Sequence, residues 1–270
     1  MADDKQSGSE EKTFWGHLED LRKVLFRMAA TVFALFLVLF YFMPYLFDNV
    51  IMAPCNGDFP LYRFFAWVTA QFPALPQFTT EGYHVDLINT RLASQFFTHI
   101  SASFWSSLVL GFPILIYLLW GFVRPALYPG ERRGAEIAFV GGTVLFYVGV
   151  AVGYFLVFPI TLRFLYQYQL SGNITNMLTL DSYMDNFMML NLVMGLVFEL
   201  PLLAWVLSLM GIVRRSFFRR FRRHAAVVLL IVAALITPTG DPITLLIVFL
   251  PLYLLYEGSA LIVKRDEPTD

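Results

Sequence analysis

A chain of 270 residues that is 58% apolar and 14% charged sits far from soluble domains, which run at about 45–50% and about 25%. One core cannot hide that much Phe, Leu and Val, so the excess faces lipid and an ordinary soluble protein is excluded. The net charge of -1 decides nothing by itself, and a lone cysteine, Cys55, excludes an intramolecular disulfide framework and a cysteine-based zinc site.

In chain order, Met1 to Lys12 is polar and acidic, so no cleavable signal is expected and the first apolar run stays in the membrane as an anchor. His17-Leu18-Glu19-Asp20-Leu21-Arg22-Lys23 opens an amphipathic helix with Leu18, Leu21 and Leu25 on one face. It runs straight into a first span over 24–47. Further apolar segments cover 96–123, 135–158, 183–210, 225–236 and 243–263, six in all. A hydrocarbon core about 30 Å thick needs about 20 helical residues. The fifth segment supplies about 18 Å before Thr237-Pro238, and so must thin the bilayer or lean on its neighbours. The alternative is that segments five and six form one re-entrant hairpin.

Between the first two spans, the loop Asp48–Gln95 carries Pro54, Pro60, Trp67, Phe72, Pro73 and Pro76. That many rings and prolines predict a compact cap with short helices over the outer ends of the spans, with Leu61–Val68 amphipathic at the interface. The second outer loop, Arg163–Ser182, is shorter and more polar. No internal repeat is visible.

Lysine and arginine set the orientation. Sixteen of the nineteen lie in the N-terminal tail (Lys5, Lys12, Arg22, Lys23, Arg27), the loop after span two (Arg124, Arg132, Arg133), the run Arg214–Arg223 and the C-terminal tail (Lys264, Arg265). Arg63, Arg91 and Arg163 alone fall on the other side. Six spans then place both ends in the cytoplasm.

Enzyme readings find no support. There is no GxSxG elbow, HExxH helix or Walker loop, and His17, His84, His99 and His224 are scattered without metal-ligand spacing. The triplet Asn173-Ile174-Thr175 fits a glycosylation pattern that is common by chance. No enzyme activity, cofactor or nucleic-acid partner is expected.

Three carboxylate positions stand out. Glu19 and Asp20 are either a solvated helix start that complements the helix dipole or part of a site. Glu131 follows Pro125 and the Pro129-Gly130 turn, in the first turn of the third span. There it is either a simple helix-start acid or part of an anionic patch for a basic ligand arriving from the cytoplasm. Glu199 lies near the middle of the fourth span, where a carboxylate is expensive, and Pro201 beside it breaks the regular helix. Its alternatives are a functional acid or a protonated one bonded to a neighbouring helix. Glu257, nearer the inner surface, can snorkel.

HLEDLRK before the first span, FVRPALYPGERR after the second, FELP in the fourth and TPTGDP between the last two resemble the TatC family, the multi-span receptor of the twin-arginine protein translocase. The resemblance runs from His17 to Val263, and ALYPGERR is its most specific element. It implies an all-α membrane protein of one domain over 1–270. Six transmembrane helices would form a concave, cup-like bundle in the bacterial cytoplasmic (inner) membrane. Short cytoplasmic tails, 1–16 (flexible) and 264–270, flank the bundle.

The function implied is binding of signal peptides with an arginine pair and, with TatA/TatB-type single-span partners and further copies of itself, proton-motive-force-driven export of folded proteins. By motif, Glu131 and Asp20 take the places of the family's signal-peptide acids, with Glu19 beside the latter and Phe122 as the matching aromatic. Pro54 matches a proline important to the family, Glu199 the acid of the fourth span and Asp241 the acid of the outer turn. Thr237 lies where partner helices dock. Asp20 stands where the family often has Glu, and Ile243-Thr244-Leu245 replaces a region that often carries a glutamine, so polar docking falls to Thr244 and Thr237. The rival reading is a proton- or ion-coupled small-solute transporter using Glu199; a membrane insertase or scaffold is a further one.

Overall fold

The structure, a computed structural model, describes residues 14–72, 79–126, 129–173, 176–209, 213–237 and 242–263. Helix α1 (Phe14–Leu46) passes through a π-turn (Phe47–Ile51) and a 3-10 turn (Ala53–Cys55) into α2 (Pro60–Gln71). Then come β1 (Leu87–Ile88), α3 (Ser94–Val123), α4 (Pro129–Val152), a second π-turn (Gly153–Val157) and α5 (Phe158–Gln167). Strand β2 (Leu178–Thr179), α6 (Leu180–Val197), α7 (Leu200–Leu209), α8 (Arg215–Ile236) and α9 (Pro242–Ile262) complete the order.

Neighbouring passes run antiparallel. Phe40 of α1 stacks on His99 of α3, while Trp120 and Phe112 of α3 meet Phe139 and Phe146 of α4. Among the described residues, five stretches are long and apolar enough to cross a membrane: Leu18–Cys55, Ser94–Val123, Phe139–Gln167, Leu180–Ser208 and Thr244–Ile262. Their lipid-facing character is plain on α1, whose outer face exposes Phe26, Phe33, Tyr41 and Tyr45.

The remaining long helix is α8, and it extends well beyond the apolar stretch expected over 225–236. Its apolar part does begin near Ala225, but the helix starts ten residues earlier and carries Arg215, Arg219, Arg220, Arg222 and Arg223 in its first half. The whole helix is about 33 Å long. The third span also outruns its expected end at Phe158. The π-turn absorbs Pro159 into the first turn of α5, where its missing N–H does no harm, and the helix continues to Gln167. Arg163 therefore lies in a helix, and the second outer loop begins at Tyr168. The expected break in the fourth span is present: Phe198 and Glu199 form a turn between α6 and α7, because Pro201 cannot donate to the Val197 carbonyl.

Prolines free backbone carbonyls elsewhere too, and side chains from other elements claim them. Pro44 cannot donate to the Phe40 carbonyl, and His99 Nε2 donates to it instead at 2.8 Å. Pro54 cannot serve the Val50 carbonyl, which receives the Tyr154 hydroxyl at 2.8 Å. The Tyr183 hydroxyl takes the next one, Ile51. Near Pro113, the Tyr147 hydroxyl reaches the Leu110 carbonyl at 3.3 Å.

The expected cap exists. Tyr62 of α2 is buried and its hydroxyl lies within reach of both the Pro54 and Pro159 carbonyls, at 3.1 and 3.0 Å. The segment 80–85 folds back on the 3-10 turn through Gly57 N–H to Tyr83 O and Val85 N–H to Cys55 O, both 3.0 Å. A side chain at Gly57 would collide with the Thr80 carbonyl. The parallel pairing of β1 with β2, Leu87 to Leu178 and Ile88 to Thr179, was not foreseen. It joins the segment before α3 to the segment before α6. The main core lies beneath this cap, around Met43, Cys55, Phe158, Tyr183, Leu190 and Met194.

His99→Phe keeps the ring stacked on Phe40 and removes the donor to its carbonyl. It should lower stability in detergent by about 1–3 kcal/mol, read as a drop in unfolding temperature.

Candidate functional site

Glycines on α4 bring it against α6 and set the position of the one described mid-span carboxylate. A Cβ on Gly149 would fall 2.7 Å from the Cβ of Phe198, and one on Gly195 of α6 would fall 2.8 Å from the Phe146 ring. The same face of α4 carries Gly142, where a Cβ would meet Glu199 Oε2 at 2.7 Å. Glu199 therefore lies directly on the α4 backbone at the α6–α7 break, half-buried, and its Oε1 has no hydrogen-bond partner among the described residues. Its carbonyl accepts from Leu203 N–H at 2.9 Å, restarting the helix beyond Pro201.

At the end of the bundle where α1 begins, Glu19 is exposed and holds Lys23 at 3.3 Å and Arg22 at 3.9 Å. Asp20, next to it, is half-buried. Because α3 runs antiparallel to both α1 and α4, the end of α3 and the start of α4 lie at this same end. Phe122 is half-buried in the last turn of α3, and Glu131 falls in the first turn of α4. The Glu131 side chain lies outside the described residues, as does Asp241.

The other expected residues lie elsewhere. Pro54 is buried under the cap, with its carbonyl facing the Tyr62 hydroxyl. Thr237 caps the end of α8 and is buried, its hydroxyl unpartnered among the described residues. Thr244 is buried in the first turn of α9. Both thus sit at the end of the bundle opposite Glu19, Asp20 and Glu131.

Three groupings went unread in the sequence. Arg163 lies over the Tyr83 ring at 4.8 Å and the Tyr62 ring at 5.4 Å, and donates to the Thr79 carbonyl at 2.6 Å. Burial pushes the Tyr83 phenol up to about 12 and the Tyr62 phenol higher still, so both stay neutral and rich in π-density under the guanidinium. Glu257 does not simply snorkel: it pairs with Arg222 of α8. Asn191, buried on α6, bonds the Phe187 carbonyl at 2.7 Å and lines an apolar cleft of about 460 Å³ between α3, α4 and α6. The Arg163 and Glu257 pairings span many residues of sequence, and no local spacing announces them.

These features define a polytopic, all-α membrane protein with no cluster of metal-ligand type among the described residues. Its particular class comes from comparison. The family model for TatC, the Sec-independent protein translocase protein, matches residues 16–251. A TatC of Blattabacterium sp. subsp. Periplaneta americana is 30% identical over 250 residues, covering 92% of this chain and 94% of that one. The Escherichia coli protein is 33% identical over 241 residues, covering 89% and 84%. A crystal structure described as the twin arginine translocase receptor TatC in DDM superposes with a TM-score of 0.71 at 27% identity, covering 92% of this chain and 99% of that one. The chain belongs to the TatC family. That assignment favours protein translocation over the solute-transporter reading of Glu199.

Gly149→Val should drive α4 and α6 apart, costing about 1–3 kcal/mol of stability. Gly141→Val, whose Cβ meets nothing within 4 Å, should leave it unchanged. Thermal unfolding of the two variants in detergent makes the comparison.

Proposed function

We propose that this chain is the receptor and core subunit of a twin-arginine translocase in the bacterial cytoplasmic membrane. Both ends lie in the cytoplasm, and the six passes form a concave bundle. The observation that carries the reading is the family match over nearly the whole chain, joined to acids collected at the end of the bundle that the positive-inside rule assigns to the cytoplasm. Glu131 and Asp20, with Glu19 as a neighbour, bind the guanidinium groups of the arginine pair, and Phe122 packs beside them. A planar guanidinium pairs best with a carboxylate in two-pronged geometry, and consecutive arginines point different ways, so two separated acids suit them. The signal peptide's apolar stretch enters the concave side.

TatA- and TatB-type single-span proteins are the partners, docking near Thr237, Thr244 and Asp241, and through them the chain meets other copies of itself. Pro54 shapes the outer turn. The transmembrane proton gradient drives export of the folded cargo. Glu199 hydrates the inner half of the bundle and, together with the short apolar part of α8, thins the barrier there.

Glu131→Ala should cut crosslinking to a purified twin-arginine signal peptide by at least about tenfold, the effect of losing one charge-assisted contact, while Glu131→Asp retains part of it. Raised salt should weaken the same crosslink in the wild type. Crosslinking by the alanine variant at the wild-type level removes this site from consideration. In cells, loss of the protein should strand folded twin-arginine precursors in the cytoplasm; loss of uptake of a solute would point to the transporter instead. A cysteine at position 199 should react with a water-soluble maleimide, against little background because native Cys55 is fully buried. An unreactive, dry position 199 would end the hydration role.

A further inference from the structure

The first half of α8 carries far more positive charge than orientation in the membrane requires. Within Arg214–Arg223 there are six arginines, three phenylalanines and one serine, with no lysine and no acid. Phe218 anchors the segment: it is buried against the Tyr256 ring at 5.3 Å, and its carbonyl accepts the Tyr256 hydroxyl at 2.8 Å. The other two rings, Phe217 and Phe221, are exposed and lie together at 4.7 Å. Arg219, Arg220, Arg222 and Arg223 are all exposed around them. Glu257 engages Arg222, but Arg219, Arg220 and Arg223 have no carboxylate within ion-pair distance among the described residues.

Depth makes this arrangement informative. Helices α8 and α9 lie antiparallel, and the pairs Phe218–Tyr256 and Arg222–Glu257 fix their register. The arginines are therefore level with the stretch of α9 just before Leu261 and Ile262. Those two apolar side chains are 70% and 53% exposed and continue the lipid-facing surface toward the end of the helix. Exposed guanidinium groups with no carboxylate partner among the described residues thus stand no nearer the end of the bundle than side chains that need lipid. The one zone that satisfies both is the boundary between headgroups and acyl chains, where a basic helix with exposed rings lies with its rings down and its charges among phosphates. Arginine rather than lysine suits that environment, because its planar fork binds phosphate oxygens in pairs and is weakly hydrated.

We infer that the arginine-rich half of α8 is a binding site for anionic phospholipid headgroups of the adjoining leaflet, held by Arg219, Arg220 and Arg223 with Phe217 and Phe221 seated in the acyl boundary. Placement in the cytoplasmic leaflet rests on the orientation proposed above. The binding itself does not, and its readout is independent of signal-peptide recognition, so failure of one reading is distinguishable from failure of the other.

The full chain is purified in detergent with mixed phosphatidylglycerol and phosphatidylcholine, and retained lipid is counted by native mass spectrometry. Wild type should retain phosphatidylglycerol in preference. The triple variant Arg219→Gln, Arg220→Gln, Arg223→Gln should lose that preference by roughly ten- to a hundredfold. The matching triple lysine variant, which keeps the charges, should stay within about threefold of wild type, and Arg63→Gln on the outer side should change nothing. Equal retention of the two lipids by wild type, or unchanged retention by the glutamine variant, overturns the proposal. So does a lysine variant as deficient as the glutamine one with an equally lowered unfolding temperature, because the arginines would then act on the fold. Displacement of the lipid by millimolar inorganic phosphate also overturns it, since that marks a site for any soluble anion.

Discussion

Inside a bilayer, each backbone N–H and C=O must find its partner within the protein. This chain breaks its own helices with proline, and its architecture follows from how the released carbonyls are satisfied. The Phe40 carbonyl freed by Pro44 is claimed by His99, and the Val50 carbonyl freed by Pro54 by Tyr154. Tyr62, from the cap, reaches two further carbonyls, those of Pro54 and Pro159. The donors are aromatic side chains from other elements of the fold. Each such bond joins two helices at a fixed height, so the same groups that interrupt local regularity specify tertiary register. The tyrosines here have two tasks, a ring in the core and a hydroxyl on a carbonyl.

The prolines also concentrate irregular backbone near the residues of functional interest. Pro201 produces the turn that holds Glu199, and the glycines of α4 give that carboxylate a smooth wall to lie against. Placing a larger residue at Gly142 would push the acid out of its position without touching its chemistry. In the last two helices, the arginine-rich start of α8 is braced against α9 by the Arg222–Glu257 pair.

Much of this was legible from residue order. Composition and hydropathy pointed to the five long apolar stretches, and the turn at Phe198 and Glu199 could be read from Pro201 alone. The dense rings of Asp48–Gln95 implied the cap, and α2 contains the amphipathic Leu61–Val68 stretch. Proline and charge are poor markers of helix ends in this chain. Pro159 looks like a terminator, yet a π-turn five residues long carries the helix through it, and the arginines before Ala225 look like a loop, yet they are helical. Long-range pairings left no trace in spacing: Arg222 with Glu257, Arg163 with two tyrosines, and β1 with β2. Of the expected signal-peptide residues, Asp20, Glu19 and Phe122 gather at one end of the bundle with the first turn of α4, a juxtaposition that follows from alternating helix direction once the spans are known.

The short parallel ladder between β1 and β2 has a mechanical corollary. It is reinforced by the Ser94–Asp181 hydrogen bond and the Arg91–Asp181 ion pair at 3.8 Å, so the starts of α3 and α6 are stitched together on one side of the membrane. Their far ends have no such seam among the described residues. Two rods clamped at one tip can diverge only at the other, like the arms of tweezers. Any widening between these two passes is thereby directed to the face where Phe122 lies.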